Sequence, residues 1–180
     1  DGNPQSGSTT QINNVLGNQV QKAINGNYDV PDIAIFFAGT NDNMNYEGSD
    51  IETQFVVDGI YKDIETIDRK TFAGAMRWCI EKLQSKYPNV EIIIVTPIQC
   101  AEDVRAYSMQ KQKVDLIKSV SDRTACYTID AFNQSGIYGR FESNGKVGKY
   151  LIDGLHPNPE TGGIYLGTYL ANETLKRYNV

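Results

Sequence analysis

The only histidine of the chain, His156, stands in the run Asp153-Gly154-Leu155-His156-Pro157-Asn158. An imidazole can take up and return a proton near neutral pH, and a carboxylate placed beside it can orient the ring and offset the charge it acquires. The pair therefore suits hydrolysis through an activated hydroxyl. The same spacing suits a plain turn, in which Asp153 receives backbone N–H groups of an Asx-type loop and the imidazole is solvated. A second polar motif, Gly39-Thr40-Asn41-Asp42, ends an apolar run far away in the chain and shifts the balance towards a catalytic site.

Motifs so distant in sequence meet only if the elements between them carry them together. Residues 10–25 place Ile12, Val15, Leu16, Val20 and Ile24 at helical spacing, and 31–38 form a nearly continuous apolar run that reads as a buried strand. A helix over 71–87, with Phe72, Met76, Cys79, Ile80 and Leu83 on one face, is stopped by Pro88-Asn89 ahead of a strand over 90–95. A helix over 103–121 with a strand over 125–129 makes a third unit, and a last helix covers 161–178. Apolar strands without clean alternation, separated by helices, predict a doubly wound α/β fold whose parallel sheet is covered on both faces. Sites in such sheets form at the carboxyl ends of the strands. Gly39-Thr40-Asn41-Asp42, Thr96-Pro97-Ile98 and Asp130-Ala131-Phe132 all fall there. The connection over 43–70 is longer than the usual ~2 to 6 residues. It carries Phe55-Val56-Val57 and Tyr61, and part of it is expected to pack over the site as a lid or substrate wall.

A chain of 180 residues predicts one domain with one substantial core. With 22 acidic against 17 basic residues it lacks the positive surface that nucleic-acid phosphates demand. No stretch approaches the ~20 apolar residues of a membrane span. Neither nucleic acid nor membrane is an expected partner. Cys79, Cys100 and Cys126 are odd in number and show no CxxC or Cys/His zinc pattern, so buried free thiols are expected.

Taken with Gln5-Ser6-Gly7-Ser8-Thr9-Thr10, these motifs resemble the SGNH/GDSL hydrolase family, whose members are esterases, lipases and carbohydrate deacetylases on a flavodoxin-like sheet. Gly39-Thr40-Asn41-Asp42 resembles the family's GxND block and Asp153-Gly154-Leu155-His156 its DxxH block. The segment around Gly7 is similar to its glycine block, and the order and separation agree. The resemblance implies a three-layer α/β/α domain over 1–180, with His156 as general base and Asp153 as its orienter. It makes Asn41 and Gly7 the oxyanion-hole donors. Acyl transfer through serine needs these parts. A glycine N–H can be approached closely, and an asparagine amide donates without adding charge. By themselves, Gly7 also suits a helix-entry turn and Asn41 a strand-end turn. No metal or organic cofactor is implied.

The family's nucleophile belongs to a Gly-Asp-Ser block on a first strand well ahead of the glycine block, whereas only six residues precede Gly7 here. Ser6 and Ser8 are not assigned that role. The expectation is an N-terminally incomplete serine esterase, its first two strands and nucleophile supplied by a missing N-terminal segment or a partner chain. The substrate is a small ester. An O-acetyl group on a carbohydrate is the narrower candidate, with Tyr46, Tyr61 and Trp78 as sugar-stacking groups. The alternative is a catalytically inactive SGNH-like module that binds a glycan. A flavodoxin-type phosphate site is disfavoured, since no Gly-rich loop follows any strand.

Overall fold

The computed structural model describes residues 16–42 and 51–178, so the glycine block with Gly7, as well as Tyr46, lies outside the described residues. The fold is a three-layer α/β/α arrangement with a parallel sheet, as the succession of apolar strands and helices predicts. The described residues divide into two compact units: those up to Ile94 together with Leu116–Tyr127, and Val95–Asp115 together with the residues from Thr128 on.

The first unit opens with α1 (Leu16–Ile24) and β1 (Ile33–Phe37). A short α2 (Ile51–Phe55), the antiparallel pair β2 (Val56–Val57) and β3 (Ile60–Tyr61), and α3 (Phe72–Lys86) follow. It also holds β4 (Glu91–Val95) as far as Ile94 and the later part of α4 (Tyr107–Arg123). With β5 (Tyr127–Ile129), the main sheet runs β1-β4-β5. Helix α3 begins where Thr71 Oγ1 accepts the N–H of Gly74 (3.1 Å), satisfying a donor that a helix start leaves free. Its apolar side chains join Val20, Phe36, Ile92, Ile94, Ile117 and Val120 in one core. Each such burial contributes about 1.5–3 kcal/mol.

Three expectations need correction here. Strand β1 is not buried on both faces: Phe36 is 5% exposed, but Ile33, Ile35 and Phe37 on the opposite face are 40–54% exposed. The segment over 51–70 is structured, and Phe55, expected near the site, is 1% exposed within the core. Between β2 and β3 the chain reverses at Asp58-Gly59, both with positive φ (52° and 75°), the backbone of a type I′ hairpin turn. Trp78 is likewise a core residue, with the Arg69 guanidinium 3.6 Å above its ring, which removes it as a sugar platform.

Two element starts and the burial of one cysteine also differ from expectation. Helix α4 begins at Tyr107 rather than near 103, because Val104 and Arg105 donate to Ala101 O in a tight turn. Glu102 Oε2 then accepts the N–H of Tyr107 (2.7 Å). Strand β5 starts after Ala125, whose φ of 54° is left-handed. The three thiols are free; Cys79 and Cys100 are buried, while Cys126 is only half-buried. Burial pushes the Cys79 thiol up to about 12.

The second unit contains the start of α4, the end of β5, α5 (Ala131–Gln134), a π-helical turn (Pro159–Gly163) and α6 (Ile164–Arg177). Its core is Cys100, Ile137, Leu151 and Leu166. The fully buried Thr96, which follows β4, accepts the N–H of Phe132 through its hydroxyl (3.0 Å), securing the segment after β5. Among the described residues, no helix is long and apolar enough to cross a membrane.

Candidate active site

The histidine motif lies in the second unit, in a loop closed upon itself. Leu151, fully buried, bridges Pro157 in antiparallel fashion. Ile152 N–H donates to His156 O and Asn158 N–H to Tyr150 O, both at 2.8 Å. Inside this clasp Asp153 Oδ1 accepts the N–H groups of His156 (2.8 Å) and Leu155 (3.0 Å). That leaves Oδ2 to meet His156 Nδ1 at 2.8 Å. One carboxylate therefore closes the turn with one oxygen and meets the imidazole with the other.

Gly154 is required at its position twice over. Its φ is +82°, and a Cβ there would come 2.6 Å from Ser143 O. Its carbonyl accepts the N–H of Ala101 (2.8 Å), and Asp153 O accepts that of Gly145 (3.0 Å). The loop is thus pinned from both sides.

The N–H of His156, then its ring, then the N–H of Leu155 hold the Asp153 carboxyl down at about 2. An ionised Asp153 favours the tautomer with the proton on Nδ1, which leaves the lone pair of Nε2 as a base. The imidazole side chain is 65% exposed.

Asn41 lies in the first unit, exposed, on the turn that closes β1. Gly39 sets that turn: its φ is +106°, and a Cβ there would lie 3.1 Å from Ile117 Cδ1 and 3.3 Å from Phe72 Cζ. Asp42 N–H donates back to Gly39 O (3.3 Å). Gly7 is outside the described residues. Among the described residues, no group of His, Cys, Asp and Glu side chains is placed to hold a metal ion.

Two features escaped the motif reading. Glu142 is 5% exposed, and its carboxylate accepts the N–H groups of Tyr150 (2.9 Å) and Leu151 (3.1 Å) at the root of the histidine loop. A groove of about 500 Å³ starts shortly after His156, along the π-turn and α6. It is lined by Tyr150, Glu160, Tyr165, Thr168 and Asn172 among others. The rings of Tyr150 and Tyr165 stack there, 4.7 Å apart.

The sequence matches the GDSL-like lipase/acylhydrolase family over residues 5–161, a span that takes in all three motifs. The chain belongs to this family. Solved structures of similar fold include a lipase/acylhydrolase of Enterococcus faecalis, with 20% identity and a TM-score of 0.55 over 91% of this chain and 72% of that one. A protein of Chitinophaga pinensis described as a possible lipase has 16% identity and a TM-score of 0.59 over 92% and 80%. A protein of Lactobacillus plantarum has 22% identity and a TM-score of 0.58 over 81% and 67%. At these identities the likeness is one of fold. No curated protein matches the chain. Membership in the GDSL-like acylhydrolases gives the general chemistry, hydrolysis of an ester.

Proposed function

We propose that this GDSL-like acylhydrolase chain carries the general base, its orienter and the oxyanion donors of a serine esterase. The observation that carries the reading is the 2.8 Å contact between His156 Nδ1 and Asp153 Oδ2, in a loop that leaves the ring exposed. In the reaction, a serine hydroxyl attacks the ester carbonyl carbon while Nε2 of His156 takes its proton. The carbonyl oxygen becomes an oxyanion that receives hydrogen bonds from the Asn41 amide and the Gly7 backbone. The imidazolium, its charge offset by Asp153, returns the proton to the departing alcohol. Water then repeats the sequence on the acyl-serine, releasing the acid and restoring the hydroxyl.

No Gly-Asp-Ser block occurs among the 180 residues. The serine is therefore taken to come from further residues of the polypeptide or from a partner chain. The narrower substrate is an O-acetyl ester on a carbohydrate. What supports it is the open groove after His156, where the stacked pair Tyr150 and Tyr165 and the polar Glu160, Thr168 and Asn172 suit a polyol.

Protein expressed with its upstream coding sequence should hydrolyse p-nitrophenyl acetate, and the 180 residues alone should not. In the active protein, Asn41→Ala should lower kcat by about 10²- to 10³-fold with a smaller change in KM. Asp153→Asn should lower kcat by up to about 10⁴-fold, because the amide favours the wrong tautomer. Tyr165→Ala should raise KM for an acetylated oligosaccharide and leave p-nitrophenyl acetate unaffected. Equal turnover by the long and short chains would refute the assignment of the nucleophile. Saturable glycan binding without turnover of any ester would favour an inactive binding module.

A further inference from the structure

We propose that Glu142 is a positioning residue for His156, its buried carboxylate clamping the loop that fixes the imidazole. The inference rests on the reading of His156 as the base. A carboxylate removed from water is costly unless both oxygens are satisfied. Here each takes one backbone N–H: Oε1 that of Tyr150 (2.9 Å) and Oε2 that of Leu151 (3.1 Å).

These residues belong to the near arm of the clasp. Tyr150 O receives Asn158 N–H and Ile152 N–H goes to His156 O, so the carboxylate secures the strand that grips the histidine at both ends. Gly148 shows that the space is made for it, since a Cβ there would lie 2.0 Å from Glu142 Oε2. Glu142 is itself tied down. Its N–H donates to Gly139 O (3.1 Å), and Gly139 N–H donates to Gln99 Oε1 (3.2 Å). A glutamine has the shape of the glutamate but turns one acceptor into a donor that faces an N–H.

His156 is the one histidine of the 180 residues, and ¹⁵N shifts of its imidazole, assigned by the signal that is lost in His156→Gln, report its tautomer. In the full-length protein the wild type should show the Nδ1–H form. Glu142→Gln should move the ring towards the Nε2–H form and lower kcat by about 10- to 100-fold, the scale on which groups that orient a metal-ligating histidine act, with KM unchanged. Gly148→Ala, which displaces the carboxylate without removing it, should do the same and serves if the glutamine variant does not fold. Ile80→Val, in the core of the first unit, whereas the histidine loop lies in the second, should lower Tm and leave both readouts at wild-type values.

Wild-type imidazole shifts and kcat in Glu142→Gln and Gly148→Ala would overturn the proposal and leave Glu142 as a stabilising group. Failure of the esterase reading shows separately, as wild-type protein without turnover; the tautomer decides the role of Glu142 in either case.

Discussion

Asp153 serves the turn with one oxygen and the imidazole with the other. Its carboxyl lies near 2 when folded against 3.8 for an unperturbed aspartate. A carboxyl depressed on folding contributes stability that is complete above its unfolded value and is lost as the pH falls through the folded one. The window is therefore from about pH 4 down to about pH 2. The group is exposed, so the contribution is small and partly screened by salt. The difference in Tm between wild type and Asp153→Asn should shrink across this window in calorimetric scans; a difference constant with pH would mean that the ionised dyad adds nothing to stability. Asp153 and His156 were legible in the sequence because their contact is local. Glu142 was not, since its partners are eight and nine residues away and only the fold makes its site dry.

One buried side chain of α3 ties down both the end of α2 and the segment that follows it. Arg77, 3% exposed, donates to Gln54 O, to Lys62 O (2.6 Å) and to Glu81 Oε1 (2.5 Å), and lies 4.9 Å from the centre of the Phe55 ring. Arg77→Leu would remove the donor that both carbonyls share, and urea unfolding should show a loss of about 2–3 kcal/mol. Arg77→Lys should recover little, because an ammonium cannot span the same fork. An unchanged urea midpoint in Arg77→Leu would show that the segment holds without the arginine. The main helices and strands were legible from their periodicity and stops, whereas this segment was read as a lid. Its hairpin signal was present: Asp58-Gly59 stands between Val56-Val57 and Ile60-Tyr61. No local pattern announces that a distant arginine will pin it. The late starts of α4 and β5 were hidden for a similar reason, since Val104 continues a helical spacing and Ala125 is an ordinary strand residue by type.

For the molecule as a whole, the sheet order puts β1 at one end of the described sheet, with Ile33, Ile35 and Phe37 exposed along one face. An outer strand with an apolar face favours association. The 180-residue chain should sediment as a concentration-dependent mixture, and Ile35→Lys should shift it towards monomer. Monomeric sedimentation of the unaltered chain at all concentrations would refute this. The parallel α/β class was legible throughout; the open face of β1 was not, because burial depends on what lies opposite a strand and not on its own residues. The π-turn over Pro159–Gly163 makes the chain's tolerance of length change uneven. Each residue added to or removed from a helix rotates everything beyond it by about 100°. Leu166 is the one buried residue of α6, so a single deletion just before it would swing that anchor out of the core. The Asp58-Gly59 tip is flanked by the exposed Val57 and Ile60, and extra residues there would displace nothing. Among homologues, gaps should therefore collect at the hairpin and be missing between His156 and Leu166.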